Sequence, residues 1–194
     1  MKFWFTIGLL ALGSSALTRT EAAPGSCKIA VAAIMESTAL AEDTNVLGVI
    51  GFSGNPQPEQ WLILTQSRSK GALREFAVAE GRVVAERMIE PLPGQDIPDI
   101  PIKFEEVRID SDEALQIALG LANEQGVKFE AAHFHLRCRD TGSEPVWLLK
   151  LLGPVQDSRG LVYLSARTGE VLRTAWTVRA IDEFAFASPI LSRR

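Results

Sequence analysis

The chain has 194 residues, of which 46% are hydrophobic and 23% are charged. This composition is typical of a globular protein and excludes a disordered chain, a collagen-like chain, a small disulfide-rich scaffold and a multi-span membrane protein. Twenty basic residues against 24 acidic residues give a net charge of −4, which argues against a nucleic-acid partner. Two histidines and two cysteines cannot alone complete a four-ligand zinc site, and the sequence indicates no cofactor.

The N-terminus has the layout of a secretory signal peptide. Lys2 gives a positive start, residues 3–17 form an apolar run, and small residues follow up to Pro24. This layout predicts that residues 1–22 are removed by cleavage after Ala22. Two nearby cleavage sites remain as alternatives, after Ala16 and after Ala23.

Two other uses of this segment are an uncleaved membrane anchor and a lipid anchor. The apolar run is short for a membrane span, which needs about 20 residues. Lipidation would use Cys27, but Pro24, Gly25 and Ser26 lack the aliphatic residue that such a site requires. We therefore expect an extracytoplasmic protein, either periplasmic or secreted, with no membrane contact after signal removal.

The remaining chain shows internal similarity. A shift of 86 residues brings Ile29 onto Leu115, Val31 onto Ile117 and, with no gap, Trp61 onto Trp147. A tryptophan pair in register is harder to ascribe to chance than aliphatic matches, because the chain has only four tryptophans. The pattern predicts two repeats, at residues 26–89 and 110–178.

Each repeat is expected to begin with a helix, at residues 26–42 and 111–125. The second helix has apolar residues along one face: Leu115, Ala118, Leu119 and Ala122. Ser111 is a suitable N-cap, and Asp110 with Glu113 offers a competing capping box. Gly126 is a suitable residue to end this helix.

Four strand-like runs follow each helix. The predicted strands are Val46–Phe52, Gln60–Thr65, Leu73–Ala79 and Arg82–Ile89 in the first repeat, and Phe129–Arg139, Val146–Leu152, Leu161–Ala166 and Glu170–Val178 in the second. Gly81 and Gly169 lie in the turns that precede the last strands. The order predicts an α+β fold of two repeats, each a helix packed on an antiparallel four-stranded meander. A proline-rich connector (90–109) joins them, and a tail (179–194) follows.

The second repeat resembles the PepSY family. Residues 160–176, GLVYLSARTGEVLRTAW, are similar to its closing hairpin, and residues 110–121, DSDEALQIALGL, to its opening helix. The match departs from the family at Ser165, where an Asp is usual. The first repeat is more degenerate, because Glu80-Gly81-Arg82 replaces the Thr-Gly-Glu turn.

The resemblance implies a small extracytoplasmic binding or regulatory unit, as found in peptidase propeptides and in exported proteins. We therefore expect a non-enzymatic protein that binds an exported peptidase or an envelope protein, with inhibition of the peptidase as one form of that regulation. Two alternatives remain open: a metal or small-ligand binding protein, and a structural component of the cell envelope. No nucleophile-base pair, Gly-rich phosphate loop or Gly-x-Ser-x-Gly elbow occurs in the sequence.

The predicted strand at 129–139 carries the candidate partner-binding face. His133, His135, Arg137 and Arg139 alternate along it and share one side of the strand. Arginines on such a face can bind carboxylates of a partner. The two histidines could instead ligate copper or zinc, although two protein ligands are too few for a complete site.

Cysteine and tryptophan residues supply the remaining candidates. Export would permit a disulfide between Cys27 and Cys138, whereas the apolar side of the strand also suits Cys138 as a buried free thiol. Trp61 and Trp147 open the second strand of each repeat, and we expect both to fill the core between helix and sheet.

Overall fold

A computed structural model of the protein describes residues 25–37, 43–91, 93–94, 97–139 and 144–177. The predicted signal peptide (1–22), the end of the first predicted helix (38–42) and the tail (179–194) lie outside these residues. The expectations for those segments stay predictions.

The helices and strands follow the predicted order closely. They are α1 (Cys27–Ser37), β1 (Thr44–Gly54), β2 (Gln60–Ser67), β3 (Leu73–Ala79), β4 (Arg82–Ile89), α2 (Ser111–Glu124), β5 (Ala131–Arg139), β6 (Glu144–Leu152), β7 (Ser158–Ser165) and β8 (Val171–Trp176). A short 3-10 helix covers Phe104–Glu106. The β3 and β4 boundaries match the sequence prediction, and the other strands differ by up to three residues at an end.

All eight described strands form one antiparallel sheet in the order β4-β3-β2-β1-β5-β6-β7-β8. The two meanders meet where β1 pairs with β5, with Ile50 opposite His135 and Gly48 opposite Arg137. This pairing buries two strand edges that would otherwise expose unpaired backbone groups.

The prediction of an α+β fold made of two helix-on-meander repeats is wrong. The described part of the chain is mainly β, with two helices of 11 and 14 residues against a single eight-stranded sheet. Local patterns define each strand, but the β1–β5 pairing joins residues between 78 and 89 positions apart and leaves no periodic signal. Neither described helix is long and apolar enough to cross a lipid bilayer.

Both described helices pack on the same side of the sheet, which we call the covered face. Its core contains side chains of α1 and α2 together with buried residues from β1, β2, β3, β5, β6 and β7. These strand residues include Val49, Trp61, Ile63, Phe76, Val78, Phe134, Leu136, Trp147, Leu149, Val162 and Leu164. One continuous apolar core therefore spans both meanders.

The two predicted core tryptophans lie in equivalent places, and the expectation that they fill the core is confirmed. Trp61 is 2% exposed and Trp147 is 0% exposed. The Trp61 indole N–H donates to the Gly25 carbonyl at 2.7 Å, just before α1, and the Trp147 indole N–H donates to the Ile109 carbonyl at 2.9 Å, just before α2. Each indole thus satisfies its polar atom while its ring fills the core.

Side chains at the start of α2 also accept hydrogen bonds from the backbone at the start of α1. Asp110 is the N-cap of α2, in the capping box with Glu113 that was the competing register in the sequence. The same Asp110 carboxylate accepts the backbone N–H of Lys28 at 3.2 Å, and the Ser111 hydroxyl accepts the N–H of Cys27 at 3.0 Å. We call these four residues, Cys27, Lys28, Asp110 and Ser111, the helix junction.

Two turn glycines have the backbone geometry that their positions suggest. Gly81 has φ +68° between β3 and β4, and Gly169 has φ +77° between β7 and β8. Both values lie in the left-handed region, where a side chain would be strained. These φ values accord with the turn positions predicted for the two glycines.

The connector between β4 and α2 crosses one end of the sheet. The Ile102 N–H donates to the Val46 carbonyl of β1 at 2.7 Å, and the Cys138 thiol of β5 lies 3.5 Å from the Pro101 carbonyl. Further back along the connector, Pro98 lies beside Gly48 on the side of the sheet away from the helices. The connector therefore reaches both faces at the β1–β5 junction.

Candidate functional site: the open face of the sheet

The side of the sheet opposite the helices is the candidate functional site, and we call it the open face. Because side chains alternate along a strand, the observed register fixes which residues share this face. They include Ile50 and Phe52 of β1, Leu62 and Leu64 of β2, Glu75 of β3, Arg87 of β4, His133, His135 and Arg137 of β5, Leu148 and Lys150 of β6, Leu161 and Tyr163 of β7, and Arg173 of β8.

The open face is unusually apolar for a solvated sheet surface. Phe52 is 52% exposed, and six further aliphatic and aromatic side chains on the face are half-buried: Ile50, Leu62, Leu64, Leu148, Leu161 and Tyr163. An antiparallel sheet with one packed face normally turns polar residues to the solvent. The sequence pattern of β1 and β2 is instead apolar on both sides.

Charged residues on the open face are mostly basic. Glu75 forms an ion pair with Arg87 across the strands, with 2.7 Å between the Arg87 Nε and a Glu75 carboxylate oxygen. Arg137, Lys150 and Arg173 add positive charge on β5, β6 and β8. A basic surface on a chain of net charge −4 is a local feature and does not follow from composition.

His133 is held by β1. Its Nδ1 accepts the backbone N–H of Ser53 at 2.9 Å, and its ring meets the Phe52 ring edge-on with 5.3 Å between centroids. Burial, and then the nearby Lys150, lowers the pKa of His133 below its ordinary value of 6.5. Because Nδ1 accepts this hydrogen bond, the single proton of the neutral His133 ring lies on Nε2.

His135 lies one step further along β5, between Ile50 of β1 and Leu148 of β6. Burial lowers its pKa below 6.5, with smaller contributions from Arg137 and His133. Both imidazoles are therefore mostly neutral at pH 7, and the positive charge of this region comes from Arg137 and Lys150.

Three of the four residues of the predicted partner-binding face are described in full. His133, His135 and Arg137 share the open face, as the alternation along the strand predicts. Arg139 belongs to β5, but its side chain lies outside the described residues. The sequence did not indicate the aliphatic surroundings, because those come from β1, β2, β6 and β7.

The geometry around the histidines does not favour the alternative of a metal site. Within the described residues, no group of three or more His, Cys, Asp or Glu side chains could hold a metal ion. His133 also uses Nδ1 to accept the N–H of Ser53, so metal binding through Nε2 would displace a proton and rearrange that bond.

Cys27 and Cys138 are both thiols in the structure, with no disulfide between them. Cys27 is fully buried at the helix junction, where burial and the neighbouring Asp110 raise the pKa of its thiol well above the usual value. Cys138 lies against the connector, and burial followed by the charge of Glu106 raises the pKa of its thiol. Neither thiol has the depressed pKa of a nucleophile.

The open face contains a small pocket beside the connector. It has a volume of about 180 Å³ and lies where β1, β2 and β5 run side by side under Pro98. Its walls include Gly48, Ile50, Leu64 and Arg137. The sequence gave no indication of this pocket, because Pro98 is distant along the chain from the strands it covers.

Comparison with known proteins finds a solved structure with a similar fold, but it does not indicate a function. No protein-family model matches the chain, and no curated protein matches it. A solved structure from Clostridium difficile 630, described as a "putative lipoprotein", is similar with a TM-score of 0.52 and 11% identity over 80% of this chain and 95% of that chain. At this identity the likeness shows the fold alone, and the PepSY resemblance stays a prediction.

Proposed function

We propose that this protein is an exported binding protein that recognises a partner protein through the open face of its sheet. The observation that supports this proposal is the row of half-buried aliphatic and aromatic residues on the face that the helices leave uncovered. Contiguous apolar surface of this kind marks interaction sites in soluble proteins.

The arrangement of the open face suits a protein partner. Leu62, Ile50, His135 and Leu148 are paired in this order across β2, β1, β5 and β6, and they form an apolar strip that one neutral imidazole interrupts. Arg137 and Lys150 border this strip. An apolar centre with polar groups around it is the usual anatomy of an interface.

Export is proposed from the N-terminal layout of the sequence. Similarity to a protein described as a lipoprotein accords with an extracytoplasmic location. Lipidation of Cys27 is disfavoured, because its side chain is 0% exposed and its N–H donates to Ser111. The mass of the exported protein would distinguish cleavage after Ala22 from an uncut envelope anchor.

Binding is proposed in preference to catalysis. His133 contacts Ser53 through the backbone amide, while the Ser53 hydroxyl donates to Gln156 at 3.2 Å. This arrangement is not a nucleophile-base pair, which needs the hydroxyl on the histidine. The resemblance to PepSY makes an exported peptidase the first partner to test.

The test is capture of exported proteins by the purified protein and by two charge-reversed variants. Lys150→Glu places a negative charge on the open face, whereas Lys128→Glu makes the same change on an exposed residue before β5. A partner that uses the open face should be retained by the wild type and by Lys128→Glu, and should be lost with Lys150→Glu. The captured protein is then purified, and its dissociation constant is measured with each variant.

Equal affinity of Lys150→Glu and wild type for the purified partner would overturn the proposal. If the partner is a peptidase, addition of the protein in equal amount should change its rate of hydrolysis, and Lys150→Glu should abolish that change. An unchanged rate would remove the regulatory part of the proposal and leave the binding part.

A further inference from the structure

We propose that the pocket beside Pro98 is the anchor site of the open face, and that it receives one apolar side chain of the partner with a carboxylate next to it. This inference rests on the proposed binding function and specifies the chemistry of the partner. The occupant is a short segment of a partner protein, with an aromatic or branched aliphatic residue beside an Asp or Glu.

The pocket exists because β1 has a glycine at its centre. A Cβ on Gly48 would lie 3.8 Å from Pro98 Cγ and 3.7 Å from the Leu136 carbonyl oxygen. These are ordinary contact distances, so a side chain at this position would fit and would extend into the pocket. Glycine leaves that volume empty, while Pro98 covers it from one side.

The size of the pocket selects one side chain. Its volume is about 180 Å³, and an apolar cavity of roughly 150 Å³ holds benzene. Pockets for drug-sized ligands are larger, at about 300 Å³ or more. A phenyl or isobutyl group can therefore enter the pocket.

The apolar walls suit such a group. Ile50, Leu62 and Leu64 come from the adjacent strands β1 and β2, and Pro98 closes the top. These side chains are half-buried in the described structure. An inserted apolar group would complete their burial, which is the arrangement of an interface hot spot.

The charged residues around the pocket favour a carboxylate beside the apolar side chain of the partner. Arg137 lines the pocket, and Glu75, the one acidic residue among the described residues of its lining, already forms an ion pair with Arg87. A guanidinium group has five N–H donors, so Arg137 can bind a further carboxylate in addition to its own contacts within the chain. His135 also lines the pocket, and its lowered pKa keeps it neutral at pH 7.

The experiment is an NMR titration of the ¹⁵N-labelled exported protein with three capped tripeptides. The probes are N-acetyl-Asp-Phe-Asp-amide, N-acetyl-Lys-Phe-Lys-amide and N-acetyl-Asp-Gly-Asp-amide. We expect the first to shift the backbone amides of Gly48, Ile50 and Leu64 saturably, and the other two to bind about tenfold more weakly or worse. Equal binding of the three peptides would overturn the inference.

Two glycine variants test the location. Gly48→Leu fills the pocket, and Gly120→Leu places the same side chain on the exposed surface of α2, where a Cβ has no neighbour within 4 Å. We expect Gly48→Leu to weaken binding of the first peptide about tenfold or more, and Gly120→Leu to leave it unchanged. Unchanged binding by a folded Gly48→Leu variant would overturn the inference.

A further variant, Arg137→Gln, tests the inference if Gly48→Leu does not fold. Arg137→Gln should remove the preference for the Asp-flanked peptide over the Lys-flanked one, since the cation is lost while the apolar walls remain. A preserved preference would overturn the carboxylate part of the inference.

Two further outcomes separate this inference from the proposed function. If no peptide binds, but Lys150→Glu still loses the captured partner, the anchor site is wrong and the open-face function stands. Phe184 is an apolar residue of the C-terminal tail (179–194). If Phe184→Ala raises peptide affinity, the tail competes with the peptide for the pocket, and the inference of a partner segment is overturned.

Discussion

The two faces of the sheet use similar residues for different purposes. On the covered face, Trp147, Phe134 and Leu149 are fully buried under the helices, and the Trp147 indole N–H has a carbonyl acceptor. On the open face, Leu148 on the same strand is half-buried. Adjacent residues of β6 therefore differ in burial because of what lies over each face.

This difference separates stability from recognition. Burial of large side chains supplies most of the free energy of folding, so the covered face holds the structure together. The open face contributes less to stability, and its apolar residues gain most when another molecule covers them. Substitutions on the two faces should therefore have effects of different size and kind.

The largest effect is expected for Trp147→Ala. The substitution removes a ring that contacts Phe134 and Trp61 and leaves a cavity in the core, at a cost of about 3–5 kcal/mol in the free energy of unfolding. Leu148→Ala, on the open side of the same strand, should cost about 1 kcal/mol, since its side chain is only half-buried. Urea denaturation of both variants measures the difference, and equal losses would contradict the distinction between the faces.

Two glycines of β1 give a second comparison between the faces. A Cβ at Gly51 would overlap Pro58 and lie 2.8 Å from the Trp61 ring on the covered side, so Gly51→Ala should cost about 1–3 kcal/mol. A Cβ at Gly48 would lie on the open face at ordinary contact distances from its neighbours. Gly48→Ala should therefore change the free energy of unfolding by no more than about 0.5 kcal/mol. Thermal unfolding decides, and a destabilised Gly48→Ala would show that the pocket tolerates no added atom.

The helix junction gives a third test, which asks how much the contacts between the two helix starts stabilise the covered face. Asp110→Ala removes the N-cap of α2 and the acceptor for Lys28 N–H of α1, and should cost about 2 kcal/mol. Asp112→Ala, in the first turn of α2, removes only a favourable charge near the helix N-terminus and should cost a few tenths of a kcal/mol. Similar losses in chemical denaturation would show that Asp110 does not join the helices.

The sequence predicted local structure well and long-range structure poorly. The limits of β3 and β4, the capping residues around Asp110 and the burial of both core tryptophans follow from local patterns. The single sheet did not follow, because the β1–β5 pairing depends on strand edges that no local pattern describes. The fold class was wrong for this reason.

The candidate site was predictable in part for the same reason. Alternation placed His133, His135 and Arg137 on one face of β5, and the structure shows them there. The apolar strip and the pocket were missed, since they combine β5 with strands and a proline distant in the chain. Apolar residues at both alternating positions of β1 and β2 were the available signal of a second apolar surface.

The smallest expected effect is the pH dependence of stability that the open face contributes. Burial lowers the pKa of both His133 and His135 in the folded protein below the ordinary value of 6.5. The unfolded chain therefore binds more protons as the pH falls through about 6.5, and stability decreases until the folded-state pKa values are passed. Above that window both states are neutral at these residues, and the contribution is constant.

Replacement of both histidines by glutamine should flatten this part of the pH profile, whereas Gly120→Leu on the helical side should leave it unchanged. The free energy of unfolding measured between about pH 5 and 8 tests the assignment, because carboxylates titrate mainly below this range. A profile with the same slope in wild type and double variant would show that the histidines of the open face are as accessible to protons in the folded protein as in the unfolded chain. Such a result would mean that the open face is more fully solvated than the burial of His135 indicates, and it would weaken the case for an apolar docking surface around it.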